Sequence, residues 1–197
     1  MRRIAVALLH YPVLDRSAQE VTTAITNLDV HDIARSAFTY GFEKYYVVHP
    51  ILAQRTLVQR VRAHWVDGKG KLRIPDREAP MRIVETVPTI EDAFQAWGGG
   101  EPVEFWTTSA VSTAGAISHQ DAAALLTTEG PNVLIGFGTG WGMSPRLHDL
   151  STRRLEPIRS PRIDGYNHLS VRAAAAILFD RLLGNAKLTV DASVGPS

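Results

Sequence analysis

The chain has 197 residues, of which 45% are hydrophobic and 21% charged, and its formal net charge is +1. This length and composition suffice for one full-sized globular core. The chain contains no cysteine, which excludes disulfides, thiolate metal ligands and cysteine nucleophiles and is typical of a cytoplasmic protein. No apolar run reaches the ~18 residues of a membrane span. The seven histidines show no metal-ligand spacing, so no metal site is predicted.

Short apolar segments alternate with helical patterns along the chain. Strands are predicted for five segments, which begin at Ile4, Tyr45, Met81, Val103 and Asn132. This alternation predicts an α/β fold, a parallel sheet with helices on both faces. The strands are nearly continuous apolar runs, as a sheet covered on both faces requires. The first run is interpreted as a buried strand and not as a signal peptide, because it is short.

Helix-start patterns lie between the predicted strands. Thr89 and Ser118 are each followed three residues later by an aspartate, an arrangement similar to a capping box. An earlier helix is predicted from Asp29, as its cap, to Gly41. Residues 67–80 are predicted as a polar loop. A helix over residues 51–65 places four apolar side chains on one stripe: Leu57, Val58, Val61 and Trp65.

Positive charge is concentrated in two segments. Residues 55–82 contain eight lysines and arginines against three acidic residues. A second cluster lies nearer the C-terminus and consists of Arg146, Arg153, Arg154, Arg159 and Arg162. Segments of this kind are often solvated surfaces, and they are also suited to contact with phosphates.

A glycine-rich stretch, LIGFGTGWGMS over residues 134–144, ends the fifth predicted strand. It is neither a dinucleotide fingerprint, because Trp141 stands where the third glycine belongs, nor a phosphate loop, because no Lys-Ser/Thr pair follows. Two interpretations remain: a loop whose missing side chains let a ligand approach the backbone, or a turn without a ligand. The ring of Trp141 favours the first and is expected to pack against another group. Ligands of parallel sheets bind at the carboxyl ends of the strands, where this loop lies.

The last helical segment, NHLSVRAAAAIL over residues 167–178, begins on a capping residue, either Asn167 or Ser170. Its alanine run predicts that something packs very closely against this helix. The candidates are another helix of the same core, a second subunit, or a passing segment of the chain.

Three stretches in order resemble the motifs of the SPOUT superfamily of trefoil-knotted RNA methyltransferases, in particular its tRNA and rRNA ribose methylase branch. They are LDVHDIARSAFTYGFEKYYVVHP, LIGFGTGWGMS, and YNHLSVRAAAAILFDRLL preceded by a short strand EPIR. The resemblance extends from Asp29 to Leu183. It implies a C-terminal deep trefoil knot, S-adenosylmethionine as cofactor, RNA (tRNA or rRNA) as substrate, and a homodimer in which the second subunit helps to complete the active site.

The resemblance also assigns site residues. The cofactor would be surrounded by Thr108, Ser109, Gly136, Gly138, Ile158, Asn167, Leu169 and Ser170. Three residues would take part in catalysis: Arg35 to activate or hold the target, Asp164 as the general base of base-methylating members, and Asn167 near the methyl-transfer point. Each has a plainer alternative, namely a surface arginine, an Asp-Gly turn and a helix cap.

One position departs from the ribose-methylating pattern. Six residues before Arg35, where that branch has asparagine, this chain has Asp29, a carboxylate that could pair with Arg35 or cap the helix. The acceptor atom, base nitrogen or ribose 2′-oxygen, therefore stays open.

The sequence is interpreted as one SPOUT-like domain over residues 1–184 with a loosely ordered tail over 185–197. The predicted function is S-adenosylmethionine-dependent RNA methylation in the cytoplasm, without membrane or metal. The alternative is a non-catalytic α/β module that binds a nucleotide-like ligand and needs neither Arg35 nor Asp164. A nicotinamide oxidoreductase is disfavoured by the failed dinucleotide fingerprint.

Overall fold

The computed structural model describes residues 1–186, so the predicted tail falls outside them from residue 187 onward. Six parallel strands form one sheet in the order β5-β4-β1-β7-β6-β8, and β2 and β3 form a small antiparallel ribbon. The strands are β1 (Ile4–Leu9), β2 (Val13–Leu14), β3 (Glu20–Val21), β4 (Lys44–Val48), β5 (Val84–Val87), β6 (Val103–Thr107), β7 (Asn132–Gly138) and β8 (Arg153–Arg154).

The helices cover both faces of the sheet, which confirms the predicted α/β architecture. They are α1 (Asn27–Thr39), α2 (Leu52–Val66), α3 (Gly70–Arg73), α4 (Glu78–Arg82), α5 (Ile90–Gly98), α6 (His119–Thr127), α7 (Pro145–Asp149) and α8 (Val171–Leu183), with a 3₁₀ turn over Pro75–Arg77. The core on one face is formed with α1, α6 and α8 and contains Trp106 and Phe179. The core on the other face is formed with α5 and α7 and contains Phe105 and Leu147.

The centre of the sheet is β1, which pairs with β4 on one side and β7 on the other. All six of its residues are buried, so the apolar run after the N-terminal arginines is a strand, as predicted. The register joins Leu9 to Gly138 at the carboxyl ends. Because all six strands are parallel, the loops after β1, β4, β6, β7 and β8 meet at one edge, called the carboxyl edge below.

Two predicted helix starts are confirmed. Thr89 and Asp92 form a complete capping box at the start of α5, and Ser118 caps α6 through the backbone N–H of Asp121. The predicted cap of α1 is wrong. Thr26 caps that helix by accepting from the N–H of Asp29 at 3.2 Å, and Asp29 lies in the first turn.

Other boundaries also differ from the prediction. Met81 belongs to α4, because the strand begins at Val84, and residues 67–80 are largely helical instead of a loop. The short strand is Arg153–Arg154 and not EPIR, since it is residues 153 and 154 that pair with β6. On α2, Val58 is buried, but Leu57 is 44% exposed and lies outside the packed stripe.

The alanine run on α8 is explained in part by packing inside the chain. Ala175 is fully buried between α8 and its neighbours α1 and α6. Ala173, Ala174 and Ala176 remain half-buried. The helix therefore presents small side chains both to the core and to its outer surface.

Candidate functional site

The carboxyl edge brings the predicted cofactor segments together at the ends of β6, β7 and β8. Thr108 joins the first two, since its backbone N–H and its hydroxyl both donate to the carbonyl oxygen of Gly136, at 3.2 and 2.9 Å. Ser109 follows and accepts the N–H of Val111 through its Oγ at 3.0 Å. These bonds hold the TTSA stretch beside the glycine-bearing strand.

The third segment is attached by backbone bonds next to β6. Leu155 donates its N–H to the carbonyl of Thr107 at 2.9 Å. Ile117 donates to Arg154 at 2.8 Å and accepts from Glu156 at 2.9 Å. The chain that leaves β8 is thus fixed against the loop that leaves β6, and it delivers Ile158 to the same edge.

Asn167 closes the long loop between β8 and α8. Its side-chain N–H donates to the carbonyl of Ile158 at 2.9 Å, which ties two predicted cofactor residues to each other. Ser170 is the cap of α8 and accepts the N–H of Ala173 at 3.2 Å, so the plainer alternative for Asn167, a helix cap, is wrong. Leu169, between them, is 45% exposed at this edge.

Gly136 and Gly138 are required by packing inside the chain. A Cβ on Gly136 would lie 2.7 Å from the Phe105 ring, and one on Gly138 would lie 2.7 Å from the backbone nitrogen of Met143. The glycines allow β7 to approach its neighbours closely. Packing inside the chain therefore accounts for these two glycines whether or not a ligand binds there. Trp141 does not pack as expected, since it is 62% exposed.

Asp164 lies on an exposed turn and is held by Arg162. The Arg162 guanidinium donates to both carboxylate oxygens, with Nε 2.8 Å from Oδ1, and the N–H of Tyr166 donates to Oδ1 at 3.2 Å. The hydrogen bond from Arg162 lowers the pKa of this carboxyl below its ordinary value, as does the bond from Tyr166. In this arrangement the carboxylate is a weak proton acceptor.

Arg35 lies on the exposed face of α1 and does not pair with Asp29. Asp29 is buried and instead accepts Arg172 of α8, with Nη1 3.1 Å from Oδ1. Tyr40 donates to Asp180 at 3.0 Å farther along the same two helices. The parallel helices α1 and α8 are therefore linked near both ends.

A buried polar cluster that the sequence analysis missed lies beside the site, at the carboxyl ends of β1, β4 and β7. His10 bonds the hydroxyl of Thr23 through Nδ1 at 3.0 Å, and His49 bonds the carbonyl of Thr23 through Nε2 at 3.1 Å. The Thr23 hydroxyl also bonds Thr139, which donates to the carbonyl of Leu9 at 3.0 Å. The available signal was that a histidine directly follows each of two buried strands.

Burial controls the protonation of both histidines. Burial, and then the charge of His49, lower the pKa of His10 to about 4, and burial lowers the pKa of His49 as well. Both rings are thus neutral at neutral pH. Nε2 of His10 has no hydrogen-bond partner within residues 1–186.

No group of three or more potential metal ligands occurs among residues 1–186, and none of the helices there is long and apolar enough to cross a membrane. An open groove of about 490 Å³ on the outer face of α2 is lined by Leu52, Ala53, Thr56, Leu57 and Arg60, none of which is a predicted site residue.

The architecture is shared with solved methyltransferases. A probable methyltransferase from Bordetella pertussis matches with a TM-score of 0.63 and 17% identity, covering 93% of each chain. The SpoU methyltransferase AviRb from Streptomyces viridochromogenes, solved in complex with AdoMet, matches with a TM-score of 0.55 and 15% identity over 92% of this chain and 57% of that one. The fold is thus that of the SpoU-type SPOUT methyltransferases.

The sequence relatives define the family more narrowly than the fold does. A tRNA (guanine-N(1)-)-methyltransferase from Oleidesulfovibrio alaskensis is 41% identical over 188 residues, which are 94% of this chain and 43% of that protein. The chain thus spans less than half the length of the curated relatives that it matches first. Residues 3–184 match the SAM-dependent RNA methyltransferase family, and the chain belongs to that family.

Proposed function

We propose that the chain methylates RNA with S-adenosylmethionine bound at the carboxyl edge, between the ends of β6 and β7 and the loop before α8. The observation that carries this proposal is the convergence of three separate segments there, through the Thr108–Gly136 and Asn167–Ile158 bonds. When bound, the cofactor supplies a methyl group already activated on a sulfonium.

The residues at this edge fit such a cofactor. Leu169 is half-exposed and Ile158 is half-buried, so apolar side chains are available to an adenine ring. The neighbouring stretches of loop are rich in small residues, which leaves backbone N–H and carbonyl groups accessible. Asn167 holds Ile158 in place, and Ser170 fixes the start of α8.

Two groups are proposed to act on the acceptor. A guanidinium does not serve as a general base, so the proposed role of Arg35 is to hold and polarise the acceptor or its phosphate. Asp164 accepts the acceptor proton after Arg162 has moved to an RNA phosphate. That exchange frees the carboxylate from the ion pair that lowers its pKa.

We also propose that the active form is a homodimer. Large apolar side chains are exposed on α1 and on the loop before α8, with Leu28 60%, Phe38 45% and Tyr166 61% exposed. Burial of such groups against a second copy would bring Arg35 of one subunit toward the cofactor edge of the other. Three further predictions are kept together with the homodimer: the C-terminal knot, the single domain over residues 1–184 and the cytoplasmic location.

The test is transfer of tritiated methyl groups from S-adenosylmethionine to transcribed tRNA and rRNA fragments, with mass spectrometry of the nucleosides to identify the acceptor atom. The relative named for guanine-N1 methylation suggests tRNA as the first substrate. Arg35→Ala and Asp164→Asn should each reduce kcat at least about a hundredfold while leaving cofactor affinity unchanged. Arg3→Ala, which removes an exposed arginine at the opposite, amino end of the sheet, is the control.

The results also separate this proposal from the non-catalytic alternative. A protein that binds S-adenosylmethionine but transfers no methyl group to any of these RNAs supports a binding module. Loss of cofactor affinity in both Arg35→Ala and Asp164→Asn would show that the roles assigned to these residues are wrong.

A further inference from the structure

The two basic clusters differ in how many of their cations form ion pairs with carboxylates. In the second cluster, Arg146, Arg153, Arg154 and Arg162 each form an ion pair with a carboxylate. In the segment after α2, by contrast, Lys69, Lys71 and Arg73 form no ion pair with a carboxylate of residues 1–186. Arg159 of the second cluster is likewise unpaired within residues 1–186, but the stretch over residues 69–77, called the α3 segment below, carries three such cations at alternate positions.

These cations are presented to solvent together with apolar side chains. Lys69 and Arg73 are exposed, and Lys71 is half-buried. Leu72 between them is 79% exposed, and Ile74 is 37% exposed. A surface that carries unpaired cations around exposed apolar groups can contact phosphates and also the faces of bases or riboses.

The α3 segment begins in close contact with the end of α2. A Cβ at Gly68 would lie 2.8 Å from the carbonyl oxygen of His64, and a Cβ at Gly70 would lie 2.7 Å from the same atom and 2.8 Å from the Trp65 ring. The backbone of the segment therefore packs directly on α2. Lys69, Lys71 and Arg73 therefore extend from backbone that begins against α2 and continues as a short helix.

Trp65 connects this segment to the helix that carries Arg35. The indole N–H of Trp65 donates to Nε2 of His31 on α1 at 3.2 Å, and the Arg77 guanidinium lies 4.9 Å from the centre of a Trp65 ring. Burial lowers the pKa of His31, and the charges of Arg77 and Arg35 lower it further. Arg35 and Arg77 thus act on the same histidine from α1 and from the α3 segment.

We infer that the α3 segment forms an RNA-backbone docking surface, in which Lys69, Lys71, Arg73 and Arg77 receive successive phosphates of an RNA whose target nucleotide reaches Arg35 on α1. This inference rests on the proposed function and specifies its substrate as an RNA that extends beyond the target nucleotide. The phosphate contacts position the RNA and do not read its sequence.

The test compares two double variants that each remove two positive charges. Lys69→Gln/Arg73→Gln removes unpaired cations of the surface. Arg3→Gln/Arg146→Gln removes two exposed arginines that are paired with Glu43 and Glu91, and serves as the control. Binding of a fluorescently labelled tRNA transcript is measured by anisotropy from low to moderate salt, and cofactor affinity is measured by calorimetry.

The surface variant should bind the transcript at least about tenfold more weakly, and its slope of log affinity against log salt should fall by ~1.4–1.8, at ~0.7–0.9 per lost phosphate contact. Its cofactor affinity should equal that of the wild type. The control should keep the wild-type slope within about half a unit.

Other outcomes overturn the inference in distinguishable ways. A surface variant with the wild-type slope would overturn the docking surface alone and leave the proposed function standing. An equal loss in both variants would show that only net charge matters. A wild type that binds S-adenosylmethionine but not the transcript at low salt would overturn the surface and the RNA substrate together.

Discussion

Acidification should destabilise this protein through His10, the buried histidine at the end of β1. The ring is fully buried, and its pKa is lowered from 6.5 to about 4. The groups that face it are Thr23, His49 from the end of β4 and, at longer range, Asp29 from α1. Nε2 has no hydrogen-bond partner within the described chain, so a proton added to this nitrogen would find no acceptor there.

Proton linkage gives the direction and the size of the change in unfolding free energy with pH. Below pH 6.5 the unfolded chain binds a proton at His10, whereas the native state stays neutral until about pH 4. Stability is therefore lost as the pH falls through this window. A pKa difference of about 2.5 is worth at most ~3.4 kcal/mol at ~1.36 kcal/mol per unit, and the part lost between pH 8 and pH 5 is ~2 kcal/mol.

The assay is urea denaturation at pH 8, 7, 6 and 5 for the wild type and His10→Asn. The amide of asparagine can occupy the place of Nδ1 beside Thr23 but does not titrate. Other histidines with a lowered pKa titrate in both proteins, so the difference in unfolding free energy reports on His10 together with its coupling to His49. That difference should shrink by ~2 kcal/mol from pH 8 to pH 5. A difference independent of pH would refute the reasoning.

Three further substitutions test other parts of the structure. Asp29→Asn, which removes the buried partner of Arg172 but keeps a capping group near Thr26, should cost about 1–3 kcal/mol in urea denaturation. Gly70→Ala should cost about 1–3 kcal/mol by the same measurement, because its Cβ meets the carbonyl of His64. Asn167→Ala, which loses the bond to Ile158, should weaken S-adenosylmethionine binding about tenfold in calorimetry, with a change in Tm of only a few degrees. An unchanged cofactor affinity in this last variant would contradict the role given to the loop.

The sheet was predictable because its signals are local. The central strands β1, β4 and β7 are largely apolar runs, and the α5 capping box uses two residues only three positions apart. Parallel pairing then follows from the alternation with helices. The α3 segment was not predictable in this way, because its sequence is polar, and the contact of Gly68 and Gly70 with α2 leaves no local sequence pattern.

The candidate site was predictable in outline and not in its contacts. The order of the motifs indicated which segments meet, and the bonds of Thr108 and Asn167 bring those segments together. The partner of Asp29 is Arg172, which is 143 residues away along the chain, and no local pattern indicates such a pair. The same holds for the Thr23 hydroxyl, which joins His10 to Thr139 only after three strands are in register.

The most direct test of the account is calorimetric titration of S-adenosylmethionine into the wild type, Leu169→Ala and Leu57→Ala. The two leucines are matched in exposure, at 45% and 44%, but Leu169 lies at the carboxyl edge and Leu57 lines the groove on α2. We predict one cofactor per chain, affinity about tenfold weaker in Leu169→Ala from ~1.4 kcal/mol of lost apolar contact, and no change in Leu57→Ala. A folded wild type that binds no S-adenosylmethionine, or a loss confined to Leu57→Ala, would contradict the cofactor site at the carboxyl edge.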